Sequence, residues 1–270
     1  MALVIAIIGA LEKEVRQIYA AVEKGTVADE AGLHIVGGEY HGFEIVATTA
    51  GMGTVNAAAA AQHLISAHGA NAIIFSGIAG GLNPALHIGD VVIGERLRYL
   101  DTDTALIAES APGLEEFSSS DFLVELAEQT LRAHGYVDAE LSEGNAATAR
   151  AEADATLFRR NNTDSEPQRF LRGTIATGDR FVSGTEAKAA AIAATQGDCV
   201  EMEGAAIAHV AAKNGIDCLV LRAISDNCDE SYDALSSREF DLEEYAESAS
   251  SLVLSIVRRL AVQLGIEPRD

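Results

Sequence analysis

Acidic side chains gather in three separate stretches: Gly9-Ala10-Leu11-Glu12-Lys13-Glu14, Val200-Glu201-Met202-Glu203-Gly204 and Arg222-Ala223-Ile224-Ser225-Asp226. Each stretch follows or closes an apolar run with the composition of a buried strand. Each therefore delivers carboxylates to a strand's C-terminal end, the edge at which open α/β sheets hold ligands. Carboxylates converging there suit acid/base chemistry on a neutral or cationic substrate. They do not suit a phosphate cradle.

Every one of these groups also has a plainer reading. Glu12 and Glu14 begin a helix, where acids complement the macrodipole. Arg222 and Asp226 bracket a strand end and can form an internal ion pair. Glu201 and Glu203 flank Met202, and strand alternation puts both on one face. Glutamates are costly to bury there unless paired or hydrogen-bonded, which weakens an ordinary core role. Gly51-Met52-Gly53 and Gly77-Ile78-Ala79-Gly80-Gly81 complete neither a P-loop nor a GxGxxG fingerprint. Each reads as a tight strand-to-helix turn or as a place of close backbone approach to a ligand.

The elements that must position these groups follow from periodicity. Leu3–Ile8 is a continuous apolar run, as in a central strand covered on both faces. A helix is expected from Glu12 to about Lys24, with Gly25 as its stop. Strands are expected at His34–Val36 and Phe43–Thr49, then a helix at Val55–His68. Further strands are expected at Ala72–Ser76, Val91–Ile93, Gly173–Ala176, Cys199–Met202 and Cys218–Ala223. Helices are expected at Asp121–His134, capped by Asp121 or Ser120, and at Ala205–Lys213. A long closing helix over Leu242–Leu264 carries an apolar stripe of Leu242, Tyr245, Ala249, Leu252, Ile256, Leu260 and Leu264. Strands alternating with helices imply an α/β fold around a mostly parallel or mixed sheet. Asp101–Arg169 differs in composition, with an exposed loop expected at Asn161–Gln168, and reads as an elaboration of the same domain. Residues 1–270 are thus expected to form one domain.

Bulk properties narrow the field. A net charge of −22 argues against nucleic acid and against anionic membranes as partners. Cys199, Cys218 and Cys228 form no CxxC pair, so neither a zinc site nor a disulfide framework is indicated. The seven histidines show no metal spacing and read as surface or satisfied core residues. The apolar N-terminus is too short to span a bilayer and lacks a basic flank, so a cytoplasmic location is the default expectation.

The motifs resemble those of the nucleoside phosphorylase/nucleosidase superfamily, and more narrowly the 5′-methylthioadenosine/S-adenosylhomocysteine nucleosidases. Besides the three acidic stretches and the two glycine segments, the matching pieces are Gly89-Asp90-Val91-Val92, Arg98-Tyr99-Leu100-Asp101-Thr102-Asp103 and Gly178-Asp179-Arg180-Phe181-Val182. They run in family order from residue 4 to about 226. The resemblance implies a three-layer α/β sandwich, a homodimer, and hydrolysis of the N-glycosidic bond of a 5′-modified adenosine with release of adenine, as in purine metabolism and methionine salvage. No metal or organic cofactor is implied.

By the same resemblance, Glu14 positions and activates the attacking water and Asp226 protonates purine N7, with Ser225 orienting it. Glu203 binds the ribose hydroxyls and Met202 packs on the sugar. Phe181 stacks on the base, the Val182 backbone reads the adenine edge, and Ala79 and Gly80 line the base and ribose. Ile78 departs from the smaller or hydroxylated residue of close relatives. The wall around the 5′-substituent is poorly matched; Pro112, Phe117, Phe240 and Leu242 are its candidates. Two alternatives stay open: a purine nucleoside phosphorylase, and a non-catalytic nucleoside-binding protein. The acid at the first strand's end, where phosphorylases carry a phosphate-gripping arginine, favours water over phosphate.

Overall fold

The first apolar run forms β1 (Val4–Gly9), every residue of which is buried. Such a strand needs cover on both faces, and it lies inside a mixed sheet. The computed structural model describes residues 3–139, 167–229, 231–237 and 239–266. The loop expected at Asn161–Gln168 falls, up to residue 166, outside them.

After β1 the chain runs through α1 (Glu12–Ala21), β2 (Glu23–Glu30), β3 (Leu33–Tyr40), β4 (Phe43–Thr49), α2 (Thr54–His68), β5 (Ala72–Gly81) and β6 (Val91–Tyr99). It continues with α3 (Thr104–Ala108), β7 (Phe117–Ser118), α4 (Asp121–Ala133), β8 (Val137–Asp138) and β9 (Arg169–Thr177). The last elements are α5 (Thr185–Thr195), β10 (Cys199–Glu201), α6 (Gly204–Asn214), β11 (Asp217–Asp226), α7 (Tyr232–Ser236) and α8 (Glu239–Gln263).

The sheet order is β10-β9-β6-β11-β5-β1-β4-β3-β2, with β7 on β6 and β8 on β9. The strands that bear the acidic stretches are neighbours or near neighbours. β5 runs parallel to both β1 and β11. The sheet also curls, so that β10 pairs antiparallel with β5 through Cys199↔Gly81 and Val200↔Gly80. That closure brings Glu201 back towards the end of β11. It is what unites segments remote in sequence.

Helices cover both faces. Ala57, Ala60, Ala61 and Leu64 of α2 pack with Ala205–Ala211 of α6 on one face. Ile18 of α1, Leu123–Leu131 of α4 and Leu252–Ala261 of α8 cover the other. This is the three-layer arrangement expected. In α8 the stripe residues Leu242, Ala249, Leu252, Ile256 and Leu260 are buried, whereas Leu264, beyond the helix end, is exposed. No helix among the described residues is long and apolar enough to cross a membrane.

Three expectations are corrected. Helix α1 ends at Ala21, and Gly25 lies within strand β2 rather than stopping a helix. Val22 already has extended backbone, and β2 pairs with β3 at the sheet's edge. Secondly, Gly77-Ile78-Ala79-Gly80-Gly81 is not a turn: β5 continues through it to Gly81. Thirdly, β10 stops at Glu201, and Glu203 is the N-cap of α6, so strand alternation does not relate the two glutamates. Gly51 and Gly53, in contrast, do form a turn, with φ of +87° and +97° that favour glycine.

Candidate active site

Residues 77–80 of β5 organise the site. Glu14, in the first turn of α1, folds its side chain back over the strand ends. Its Oε2 accepts hydrogen bonds from the Ala10 N–H (2.7 Å) and Leu11 N–H (2.9 Å), and its Oε1 accepts from the Ile78 N–H (3.1 Å). The first helical turn thus holds Glu14 through directed bonds rather than only through the dipole. A carboxylate has about four lone-pair sites, so three donors leave one for a ligand. Burial pushes the Glu14 carboxyl up, against the lowering pull of Arg222 and the three N–H groups.

Asp226, at the end of β11, is fixed from the other side of β5. Its Oδ1 accepts from the Cys228 N–H (2.8 Å) and its Oδ2 lies 2.8 Å from Ser225 Oγ. Ser225 Oγ also lies 3.2 Å from the Ala79 carbonyl oxygen. The hydroxyl has one proton for these two acceptors. Ser225 thus ties the Asp226 carboxyl to the backbone of β5.

Between the acids sits Arg222, 1% exposed. Its guanidinium donates to Glu201, with Nε to Oε2 at 3.1 Å, and to Glu203 Oε2 at 3.3 Å. It also stacks 4.0 Å from the Phe75 ring centroid. The internal pair anticipated between Arg222 and Asp226 is therefore replaced by pairs with Glu201 and Glu203. Glu201 is saturated besides: it accepts from the Glu203 and Gly204 N–H groups and from the Thr177 hydroxyl. Those bonds cap α6 and make Glu201 a structural acid.

Glu203 is less committed. Its Oε1 accepts from the Gly53 N–H (2.8 Å), so the turn before α2 anchors it. Burial and the adjacent Glu201 push Glu203 up to about 7, against the pull of Arg222 and the Gly53 N–H. A carboxyl poised near neutrality in a cleft marks a candidate functional group.

The glycines of β5 are explained by these neighbours. A methyl group at Gly77 would overlap Arg222 Nη1 and Glu14 Oε1, and one at Gly80 would overlap Cys228 Sγ. Glycine within a strand here marks close approach of side chains. Gly77→Ala is expected to cost about 1–3 kcal/mol through overpacking. It should also depress turnover, because the displaced atoms belong to Glu14 and Arg222. A thermal melt and a rate unchanged from the parent would contradict this packing.

A cavity of about 540 Å³ opens over the same strand ends. All nine residues singled out in the sequence line it: Glu14, Ala79, Gly80, Phe181, Val182, Met202, Glu203, Ser225 and Asp226. Ile78, Met52, Cys228, Leu235 and Leu242 extend the apolar wall, and Lys13 and Arg180 add cations. Of the candidates for the 5′ wall, Leu242 lines the cavity. Phe117 does not; it is buried against Tyr99 and His209. Pro112 is not part of the lining either, and the side chain of Phe240 lies outside the described residues. Sequence reasoning missed Arg222 as the cation joining Glu201 to Glu203, although an arginine inside an apolar strand signalled a buried partner. It quoted Lys13 and Arg180 within its motifs but gave neither a role at the cavity.

The chain thus carries an acid-lined cavity at the strand ends of a three-layer α/β sheet. It belongs to the phosphorylase superfamily, whose family model matches residues 4–258. Within it, the chain is 30% identical over 267 residues to the 5′-methylthioadenosine/S-adenosylhomocysteine nucleosidase of Bacillus cytotoxicus, covering 95% of this chain and 99% of that one. It is 30% identical to the enzyme of the same name from Treponema pallidum, covering 95% and 93%. Its structure is similar to that of the Neisseria meningitidis nucleosidase in complex with methylthio-immucillin-A, with a TM-score of 0.76, 27% identity and coverage of 94% and 98%. It is also similar to the futalosine hydrolase of Helicobacter pylori, with a TM-score of 0.76, 26% identity and coverage of 95% and 98%.

Proposed function

We propose that this chain is an N-glycosyl hydrolase that cleaves a 5′-modified adenosine of the methylthioadenosine/S-adenosylhomocysteine type to free adenine. The observation that carries the reading is the convergence of Glu14, Glu203 and Asp226 on one cavity around Gly77–Gly80. Cleavage of an N-glycosidic bond builds positive charge on the sugar and negative charge on the departing base. Asp226, oriented by Ser225, neutralises the base by giving a proton to N7. Glu14 holds the attacking water on its remaining lone pair and takes its proton. Glu203 receives the ribose hydroxyls, with Met202 against the sugar. Phe181 stacks on the base, Val182 meets its edge, and Ala79 and Gly80 floor the pocket. Separating an acid from a base by environment is how paired carboxyls divide such work.

Water is favoured over phosphate by charge. Arg222 is consumed by Glu201 and Glu203, and the buried acids Glu14 and Glu203 repel a dianion. Methylthioadenosine incubated with the purified chain in phosphate-free buffer is expected to give adenine and the free sugar at full rate. Strict dependence on added phosphate would instead favour a phosphorylase, with Lys13 and Arg180 as the phosphate-holding cations. Failure of any nucleoside to be cleaved, with tight nucleoside binding retained, would favour the non-catalytic alternative.

The reading extends to a cytoplasmic homodimer serving methionine salvage. Three buried free cysteines are consistent with a reducing compartment. Met52 and Phe181 at the cavity and the nearby Val55 are exposed apolar side chains of the kind a second subunit covers. Light scattering of the purified chain tests the dimer.

A further inference from the structure

Away from the cavity, the fold assembles a side-chain cluster for which the catalytic reading has no use. His63 and His68, both on α2, turn their Nε2 atoms towards one carboxylate oxygen, Glu30 Oε1, at 3.2 Å and 2.6 Å. Glu30 ends β2, the edge strand that the sequence did not reveal. The spacing of the two histidines carries no ligand pattern, and the third partner is more than thirty residues away. One ligand atom from each residue lies within 4.8 Å of the other two, and no other such group occurs among the described residues. The two rings stand edge to face with centroids 5.7 Å apart, so their nitrogens converge without stacking.

We propose that Glu30, His63 and His68 form a binding site for a zinc-type divalent transition-metal ion, remote from the active site and tying the edge strand β2 to α2. The donor set is two imidazoles and one carboxylate, which suits zinc-like ions and not the oxygen-seeking magnesium or calcium. The geometry is close to that needed. Ligands about 2.0–2.1 Å from a tetrahedral ion stand about 3.3 Å apart. The His63–Glu30 separation of 3.2 Å already fits; that of His68, at 2.6 Å, must open by about 0.7 Å. The side chains of His63, His68 and Glu30 are 24%, 22% and 44% exposed, so an ion can enter and a solvent molecule can complete the shell.

One feature of the surroundings favours a cation. His68 closes α2, whose C-terminal carbonyls carry the negative end of the helix dipole. The ion would have no part in bond cleavage. The opposite end of α2 meets the active site at Gly53, and about 15–22 Å of helix separates it from His63 and His68. Bound metal would instead clip an edge strand that otherwise depends on its hydrogen bonds to β3.

The test uses the tag-free full chain, stripped with a chelator and titrated calorimetrically with zinc chloride, with magnesium chloride in parallel. One zinc ion per chain, no magnesium binding, and a visible cobalt(II) spectrum of tetrahedral type are expected. His63→Ala, His68→Ala and Glu30→Gln should each weaken zinc at least about tenfold. At a hundredfold excess over Kd, zinc should raise the unfolding midpoint of the parent by roughly 5 °C. His68→Gln, which keeps a hydrogen bond to Glu30, serves if an alanine variant melts early. Adenine release by the stripped chain should equal that of the untreated chain. The absence of saturable zinc binding, or zinc affinity unchanged in these variants, would overturn the proposal. Because binding is read by heat and spectrum, its failure is separable from any failure of the nucleosidase reading.

Discussion

Asp226→Asn will lower kcat for adenine release by roughly a hundredfold to ten-thousandfold, the usual worth of a positioned proton donor, and will leave the unfolding midpoint essentially where it is. The second half of this expectation comes from counting hydrogen bonds. An asparagine oxygen can still accept from the Cys228 N–H, as Asp226 Oδ1 does at 2.8 Å. Its amide can donate to Ser225 Oγ, 2.8 Å from the present Oδ2, and Ser225 is then free to donate to the Ala79 carbonyl at 3.2 Å. Every contact of the carboxyl therefore has a counterpart in the amide, and no buried group is orphaned. Only the transferable proton is lost. Single-turnover rates and a thermal melt check both halves. A variant that turns over at the parental rate removes Asp226 from the chemistry. One that melts early means its carboxyl carries the fold, and the activity loss then says nothing about proton transfer.

What the sequence disclosed and what it hid divide along physical lines. The apolar runs of β1, β5 and β11 were readable because strands buried on both faces have no polar side to confuse the pattern. The acids at their ends were readable because a charged residue closing such a run has few cheap structural uses. Strand β2 was not readable. Its sequence, Glu-Lys-Gly-Thr-Val-Ala-Asp-Glu, has no alternation, and its Val27 is 63% exposed. An edge strand held by backbone bonds to β3 leaves little trace in side-chain chemistry. The convergence of Glu30 with His63 and His68 was hidden with it, since it depends on where β2 ends. The glycines of β5 misled for a related reason. Glycine reads as a turn signal, but here it makes room for Glu14 and Arg222. The partners of Arg222 were hidden because they depend on the curl that pairs β10 with β5. That contact joins parts of the sheet remote in sequence.

Arg222→Met is expected to be the most destabilising single change in the site, at about 3–5 kcal/mol. That is a large part of the 5–15 kcal/mol by which domains are ordinarily stable. Methionine keeps the apolar stem but ends short of the guanidinium that stacks on Phe75, so the loss combines the missing charge with some lost packing. Glu201 and Glu203 would keep their backbone donors but lose the cation between them, and Glu14 would lose its nearest positive charge. The effect should depend on pH in a definite direction. Glu203 already sits at about 7 in the folded chain against an ordinary 4.5. An acid raised on folding holds its proton longer in the folded state than in the unfolded one. Its contribution is therefore most favourable below about 4.5 and is lost as pH rises through about 7. Removing Arg222 pushes Glu203 and Glu14 higher still and extends that loss upward. The variant should thus trail the parent most at pH 8 and least at pH 5 in urea unfolding. Arg222→Lys, which keeps a point charge but cannot fork between two carboxylates, should fall between the two. Equal deficits at both pH values would mean that packing on Phe75, not charge, is what Arg222 contributes.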